Sequence, residues 1–186
     1  MNPELSKSFV EARAFLYRVH QQLAQLITEL DTQLDEHGWA PTNKNVTAEV
    51  SAALNADRWL TDFLYRFYFP KALAGKSNRL VGTILYFDLP KGWTEPVALA
   101  FGARFEVVQS HSDIWSAWKG YSQDTVTYLA GKDEVQPVSY DVFKGFLPKA
   151  TAFRGVALPV FSLTGPDDLR ERVTNVLLRA DVELGT

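Results

Sequence analysis

The sequence predicts an α+β fold: a long N-terminal helix and an aromatic-rich second helix packed on a mostly antiparallel sheet, with a C-terminal amphipathic helix. Three observations carry this. Apolar residues recur at spacings of four and three through the first forty positions, the period falls to two from Leu80, and a helical stripe returns after Gly165. Helices followed by a hairpin and then mixed short elements favour an α+β layer fold over a doubly wound one.

The first element is the clearest. Leu5, Phe9, Ala12, Leu16, Val19, Leu23, Leu26 and Leu30 keep a 3.5-residue period, the pattern of a coiled-coil seam. A helix from about Asn2 to His37 would be roughly 50 Å long at 1.5 Å per residue. Pro3 suits its first turn, and Gly38 suits a left-handed cap after its end. A second apolar row of Val10, Tyr17, Ile27 and Leu34 widens the stripe, so one face is expected on the body and the other on a partner. Glu29, Asp31, Asp35 and Glu36 in the last turns oppose the helix dipole. They read either as a solvated end or as a docking site for a basic surface. The chain therefore divides into residues 1–38, a dimerisation helix, and residues 39–186, a single α+β domain.

After the connector GWAPTNKN, with Asn45 or Thr47 as cap, a helix is expected from about Val46 to Phe69. It holds DRWLTDFLYRFYFP, with six aromatic residues between Trp59 and Phe69. Trp59, Leu60, Phe63, Leu64 and Phe67 share one helical face, while Tyr65, Tyr68 and Phe69 lie off it among Arg58, Asp62 and Arg66. A helix apolar most of the way round is buried on more than one side, and Pro70 ends it.

LVGTILYFDL and VALAFGARFEVV read as strands joined by a PKGWTEP hairpin loop. Val97, Leu99, Phe101, Ala103, Phe105 and Val107 point one way. Ala98, Ala100 and Gly102 form a small-residue stripe on the other face, open to a packed helix or a flat ligand. Farther on, SDIWSAWKGY reads as a short helix capped by Ser112, TVTYLAG as a strand, and SYDVFKGFLP as a weak helix. GVALPVFSL reads as a strand placed at an edge by Pro159. The closing helix starts at Gly165-Pro166-Asp167-Asp168 and buries Leu169, Val173, Val176, Leu177 and Ala180.

Composition narrows the function classes. The 186 residues are 46% hydrophobic and 22% charged, enough for a sizeable core. A net charge of −3 disfavours nucleic acid or an anionic membrane as the main partner. With no cysteine there is no disulfide, thiolate zinc site or cysteine nucleophile. The start MNPELSKSF has no apolar leader run, and a cytoplasmic location is expected.

The chemical motifs are weak. GKS at Gly75–Ser77 lacks a phosphate loop's upstream glycine, since Pro70 stands there, and it precedes a strand. Asp88, set opposite about Ala98, would lie some 27 Å from Glu106 at about 3.4 Å per residue, too far to share an ion. The three histidines have no metal-ligand spacing, so neither a metal nor a cofactor is expected. His111, beside Ser110, Ser112 and Asp113 on a loop, is the weak catalytic candidate, and it defines a hydrolase alternative. Trp115 and Trp118 with Lys119 and Tyr121 resemble a stacking surface, yet their spacing suits packing on the sheet.

The leading expectation is a non-catalytic protein-interaction or regulatory module acting as a helix-mediated homodimer. Leu16, Leu23, Tyr65, Tyr68 and Phe69 are its interface residues. A small-molecule sensor is the second alternative, its ligand lying on Ala98, Ala100 and Gly102 under Trp115.

Overall fold

The computed structural model describes residues 3–42, 47–49, 63–73, 76–110, 112–114, 123–147 and 149–184. The chain opens with a 34-residue helix, α1 (Pro3–Glu36). It stops where expected: Gly38 takes φ 80°, a conformation that costs a residue without Cβ little, and its N–H donates to the Asp35 carbonyl.

Seven antiparallel strands follow among the described residues. They are β1 (Trp39–Pro41), β2 (Thr47–Glu49), β3 (Phe63–Pro70), β4 (Lys76–Tyr86), β5 (Val97–Ser110), β6 (Gln136–Val138) and β7 (Ala150–Pro159). The spatial order is β1-β3-β4-β5-β7-β6, with β2 also paired to β3. Between β5 and β7 lie the short helices α2 (Gln123–Leu129) and α3 (Tyr140–Phe143). The chain closes with α4 (Pro166–Leu169), a π-type turn (Arg170–Thr174) and α5 (Asn175–Leu184).

The α+β class is as predicted, but the aromatic-rich stretch is a strand where a helix was expected. Residues 63–70 pair with β4 from Phe63↔Tyr86 to Tyr68↔Val81. Phe63, Tyr65, Phe67 and Phe69 face one core layer, with Tyr68 in the opposite one. Aromatic side chains suit a pleated surface. With both faces of β3 buried, the polar alternation that marks a strand disappears. Of the same expected helix, residues 47–49 form β2, and Trp59 and Leu60 lie outside the described residues.

The β4–β5 hairpin is as predicted, with a longer loop. Leu85, and not Asp88, pairs with Ala98. Proline at 90 and 96 cannot donate to a ladder, and a turn from the Trp93 N–H to the Pro90 carbonyl, with Gly92 at φ 91°, holds the excursion. Lys76 and Ser77 open β4, and the 3₁₀ turn Lys71–Leu73 links them to β3. The GKS neighbourhood is thus flanked by strand on both sides.

TVTYLAG is a second correction. Residues 123–129 form α2, burying Thr125, Val126 and Leu129 at helical spacing. Gly131 at φ 71° follows its end. The run of β-branched residues suggested a strand, and tertiary burial overrides that preference. The edge position expected for Pro159 holds only locally. Strand β6 covers β7 at Phe153–Gly155, and Pro159 lies beyond its reach.

The sheet is buried on both faces. One carries a phenylalanine cluster in which Phe101 stacks on Phe153 at 5.0 Å and meets Phe146 edge-on at 5.4 Å. Two glycines make room for it. A Cβ at Gly82 would come 2.7 Å from Phe67, and one at Gly155 would come 2.9 Å from the Ala100 carbonyl oxygen. The other face packs under the second half of α1 and the C-terminal helices, around Leu30, Leu34, Val81, Ala100 and Leu177.

Candidate functional site

The seam of α1 changes environment at its middle. Leu23 and Leu30 are 4% and 0% exposed, packed with Val81 and Leu177 in the core. Val19 is half-buried. Toward the N-terminus Leu16 is 40% exposed, Phe9 70% and Leu5 66%, and Val10, Phe15 and Tyr17 are exposed beside them. Every described side chain from Glu4 to Arg18 is exposed. Fifteen residues therefore carry the heptad pattern with their side chains exposed, about 22 Å of helix.

Where α1 joins the body, a groove of about 640 Å³ opens along its flank. Val19, Gln22, Leu26 and Glu29 form one wall, and Val160, Phe161, Leu163 and Pro166 the other. The second wall is the 3₁₀ turn Val160–Ser162 after β7 and the start of the closing helix. In that turn the Ser162 hydroxyl donates to the Pro159 carbonyl, and the Leu163 N–H to that of Val160. Phe161 is left turned outward, exposed.

Polar groups lock α1 against the body next to this groove. Gln33, fully buried, donates to the Pro166 carbonyl at 3.0 Å and to Glu29 at 2.7 Å, and accepts from the Thr174 hydroxyl at 2.7 Å. Thr174 belongs to the π-type turn, which brings it inward beside Val173. Farther along, Asp31 takes a two-pronged bond from Arg66, Nε to Oδ1 at 3.0 Å and Nη2 to Oδ2 at 2.6 Å. The Tyr68 hydroxyl donates to the same carboxylate at 2.8 Å. Burial alone would lower the Arg66 pKa, but the bond and charge of Asp31 more than offset it, and the net shift is upward. Burial, reinforced by Asp31, pushes the Tyr68 phenol well above its ordinary 10.0.

The acidic end of α1 stays largely solvated, with Asp35 61% and Glu36 54% exposed, and it also pairs with cations of its own chain. Asp31 holds Arg66, Asp35 meets Lys71 at 2.5 Å, and Glu36 meets Arg170 at 3.2 Å. Position in the helix showed the acidic run but not its partners, which lie 35 or more residues away.

Three of the expected interface residues are corrected here. Tyr65, Tyr68 and Phe69 are core side chains, sealed because β3 is covered on both faces. Leu23 is likewise core, which leaves Leu16 as the one of the five on an open surface.

The small-residue stripe is taken up by packing. Ala98 and Ala100 are buried, and a Cβ on Gly102 would meet Ala180 and Leu184 of α5 at 3.1 Å. The helix fills the space that a flat ligand would need, so this stripe is no ligand face. Trp115, Trp118, Lys119, Tyr121 and His111 lie outside the described residues. Beside His111, the Ser110 N–H and hydroxyl both donate to Asp113 Oδ2, at 2.8 and 2.6 Å. The Asp113 N–H points back to Ser110 Oγ at 3.4 Å. This reciprocal pair resembles a capping box, and it makes Ser110 the capping residue in place of Ser112. These bonds, the Ser110 hydroxyl first, hold the Asp113 carboxyl below its ordinary 3.8.

Among the described residues no group of three or more His, Cys, Asp or Glu is placed to hold a metal, and no helix is long and apolar enough to cross a membrane. No family model, curated protein or solved structure matches this chain.

Proposed function

We propose that this protein is a non-catalytic interaction module that self-associates through the projecting half of α1. One observation carries this: a single heptad seam runs without interruption from buried Leu30 and Leu23 to exposed Leu16, Phe9 and Leu5. The core clusters of the described residues take in the seam only from Val19 onward, and the apolar side chains before it stay exposed. Phe9, Phe15 and Tyr17 alone offer on the order of 400 Å² of apolar surface. Leu5, Val10 and Leu16 raise this to on the order of 700 Å². Spread over more than half of the helix circumference, this compares with about 300–600 Å² for the largest single patch on a typical monomer. It approaches the roughly 800 Å² that each partner supplies to a standard interface.

The test is Phe9→Glu combined with Leu16→Glu. Both side chains project from the body, so the variant should melt within about 2 °C of the parent measured as a monomer. It should sediment as a monomer at concentrations where the parent is a dimer. A parent and variant of identical mass in solution would remove the proposal.

A further inference from the structure

We infer that the second copy docks antiparallel, with the first three turns of its α1 seated in the groove between α1 and the Val160–Pro166 segment. This rests on the self-association proposed above and adds its geometry. From Leu23 onward the seam side of α1 is covered by its own body. In a parallel pair the two seams face each other at the same level, so both bodies would claim one volume. An antiparallel pair places the bodies at opposite ends.

Position along the helix then selects the groove. Reflection about Leu16, the middle of the exposed-to-buried seam, carries residues 3–13 onto residues 19–29. Val19 to Glu29 is the span of α1 that lines the groove. The groove wall also continues outward along the helix, since Phe15, Val19, Gln22, Leu26 and Glu29 follow one another at spacings of four and three. Phe15 is exposed just beyond the groove's end, in line with the incoming helix. Phe161, on the opposite wall, offers the incoming Phe9 and Leu5 an apolar side.

Antiparallel docking brings the start of the second copy's helix, with its positive dipole end and the opposing charge of Glu4, next to Glu29. The other acids in the last turns of α1 are engaged by cations of their own chain, whereas Glu29 accepts only the Gln33 amide among the described residues.

The chain has no cysteine, so introduced thiols report without background. Spin labels on Lys7→Cys should lie about 27 Å apart along the axis, twice nine residues at 1.5 Å. The double variant Lys7→Cys, Gln25→Cys should cross-link between copies under mild oxidation. Phe161→Glu, which leaves α1 unchanged, should weaken dimerisation at least tenfold. A dimer with Lys7 labels about 10 Å apart, one helix spacing, and no response to Phe161→Glu would overturn the antiparallel seat and leave self-association standing. A chain that is monomeric at every concentration would overturn both.

Discussion

Removing the Asp31 carboxylate is the sharpest stability test of how α1 is fixed to the sheet. Arg66 is 6% exposed beneath the helix, and Asp31 meets it through two nitrogens at 3.0 and 2.6 Å while also accepting from Tyr68. Truncating one member of a buried pair costs about 3–5 kcal/mol, chiefly because the surviving charge stays in a poorly solvated place. Asp31 retains 28% exposure, so water can partly replace it, and the lower end, about 3 kcal/mol, is expected for Asp31→Ala. For a chain of this length that lowers Tm by about 6–12 °C. Urea unfolding in the Phe9→Glu, Leu16→Glu background keeps association out of the measurement, since dimerisation makes apparent stability depend on concentration. Pairing Asp31→Leu with Arg66→Met should recover most of the loss, because an apolar pair carries no desolvation cost. If Asp31→Ala stays within about 1 kcal/mol of its parent, the pair is not what clamps the helix, and the reasoning fails.

Other outcomes follow from packing and titration. Gly155→Ala should destabilise by about 1–3 kcal/mol, because the added methyl meets the Ala100 carbonyl at 2.9 Å inside a sheet that cannot part; an unchanged urea midpoint would contradict this. Burial raises the Asp181 carboxyl above its ordinary 3.8, against the opposing pull of Arg79. An acid raised in the folded state binds its proton more tightly there, so its contribution is present below pH 3.8 and is lost as pH rises through the raised value. Asp181→Asn should therefore raise Tm at pH 7 and change it little at pH 3; a lower Tm at pH 7 would show that the Arg79 ion pair outweighs burial. The raised Tyr68 phenol has the same sign, holding stability below pH 10 that is lost as pH climbs past it. Tyr68→Phe should flatten the alkaline limb of the stability curve, and an unaltered limb would assign it to other groups.

The long first helix and the closing helix, each with one solvated side, were legible in the sequence, whereas the doubly buried β3 and the short α2 were not. The length of α1 and its glycine cap follow from period and turn chemistry alone, as does the start of the closing helix at Gly165-Pro166. Strand β5 was legible because its two faces differ, large residues toward the phenylalanine cluster and small ones toward α5. Strand β3 has large side chains on both faces, and its one charged residue, Arg66, is neutralised by Asp31, so no polar alternation survives. The same loss of contrast made Tyr65, Tyr68 and Phe69 look available to a partner. The seam of α1 predicted an apolar stripe without showing where the body ends, since Leu23 and Leu16 carry the same side chain in the same register. The groove draws Phe161 and Pro166 from 130 or more residues beyond Leu26. Only the tertiary fold brings them together, and no local pattern announced them.

Sedimentation equilibrium of the unmodified chain from low micromolar to about 100 μM reads self-association without any substitution. Self-association through α1 requires a mass that rises from one chain, 20.9 kDa, to two as concentration increases, and that stays at one when Phe9 and Leu16 are glutamate. A single-chain mass across the whole range would mean that the exposed seam has no second copy to meet.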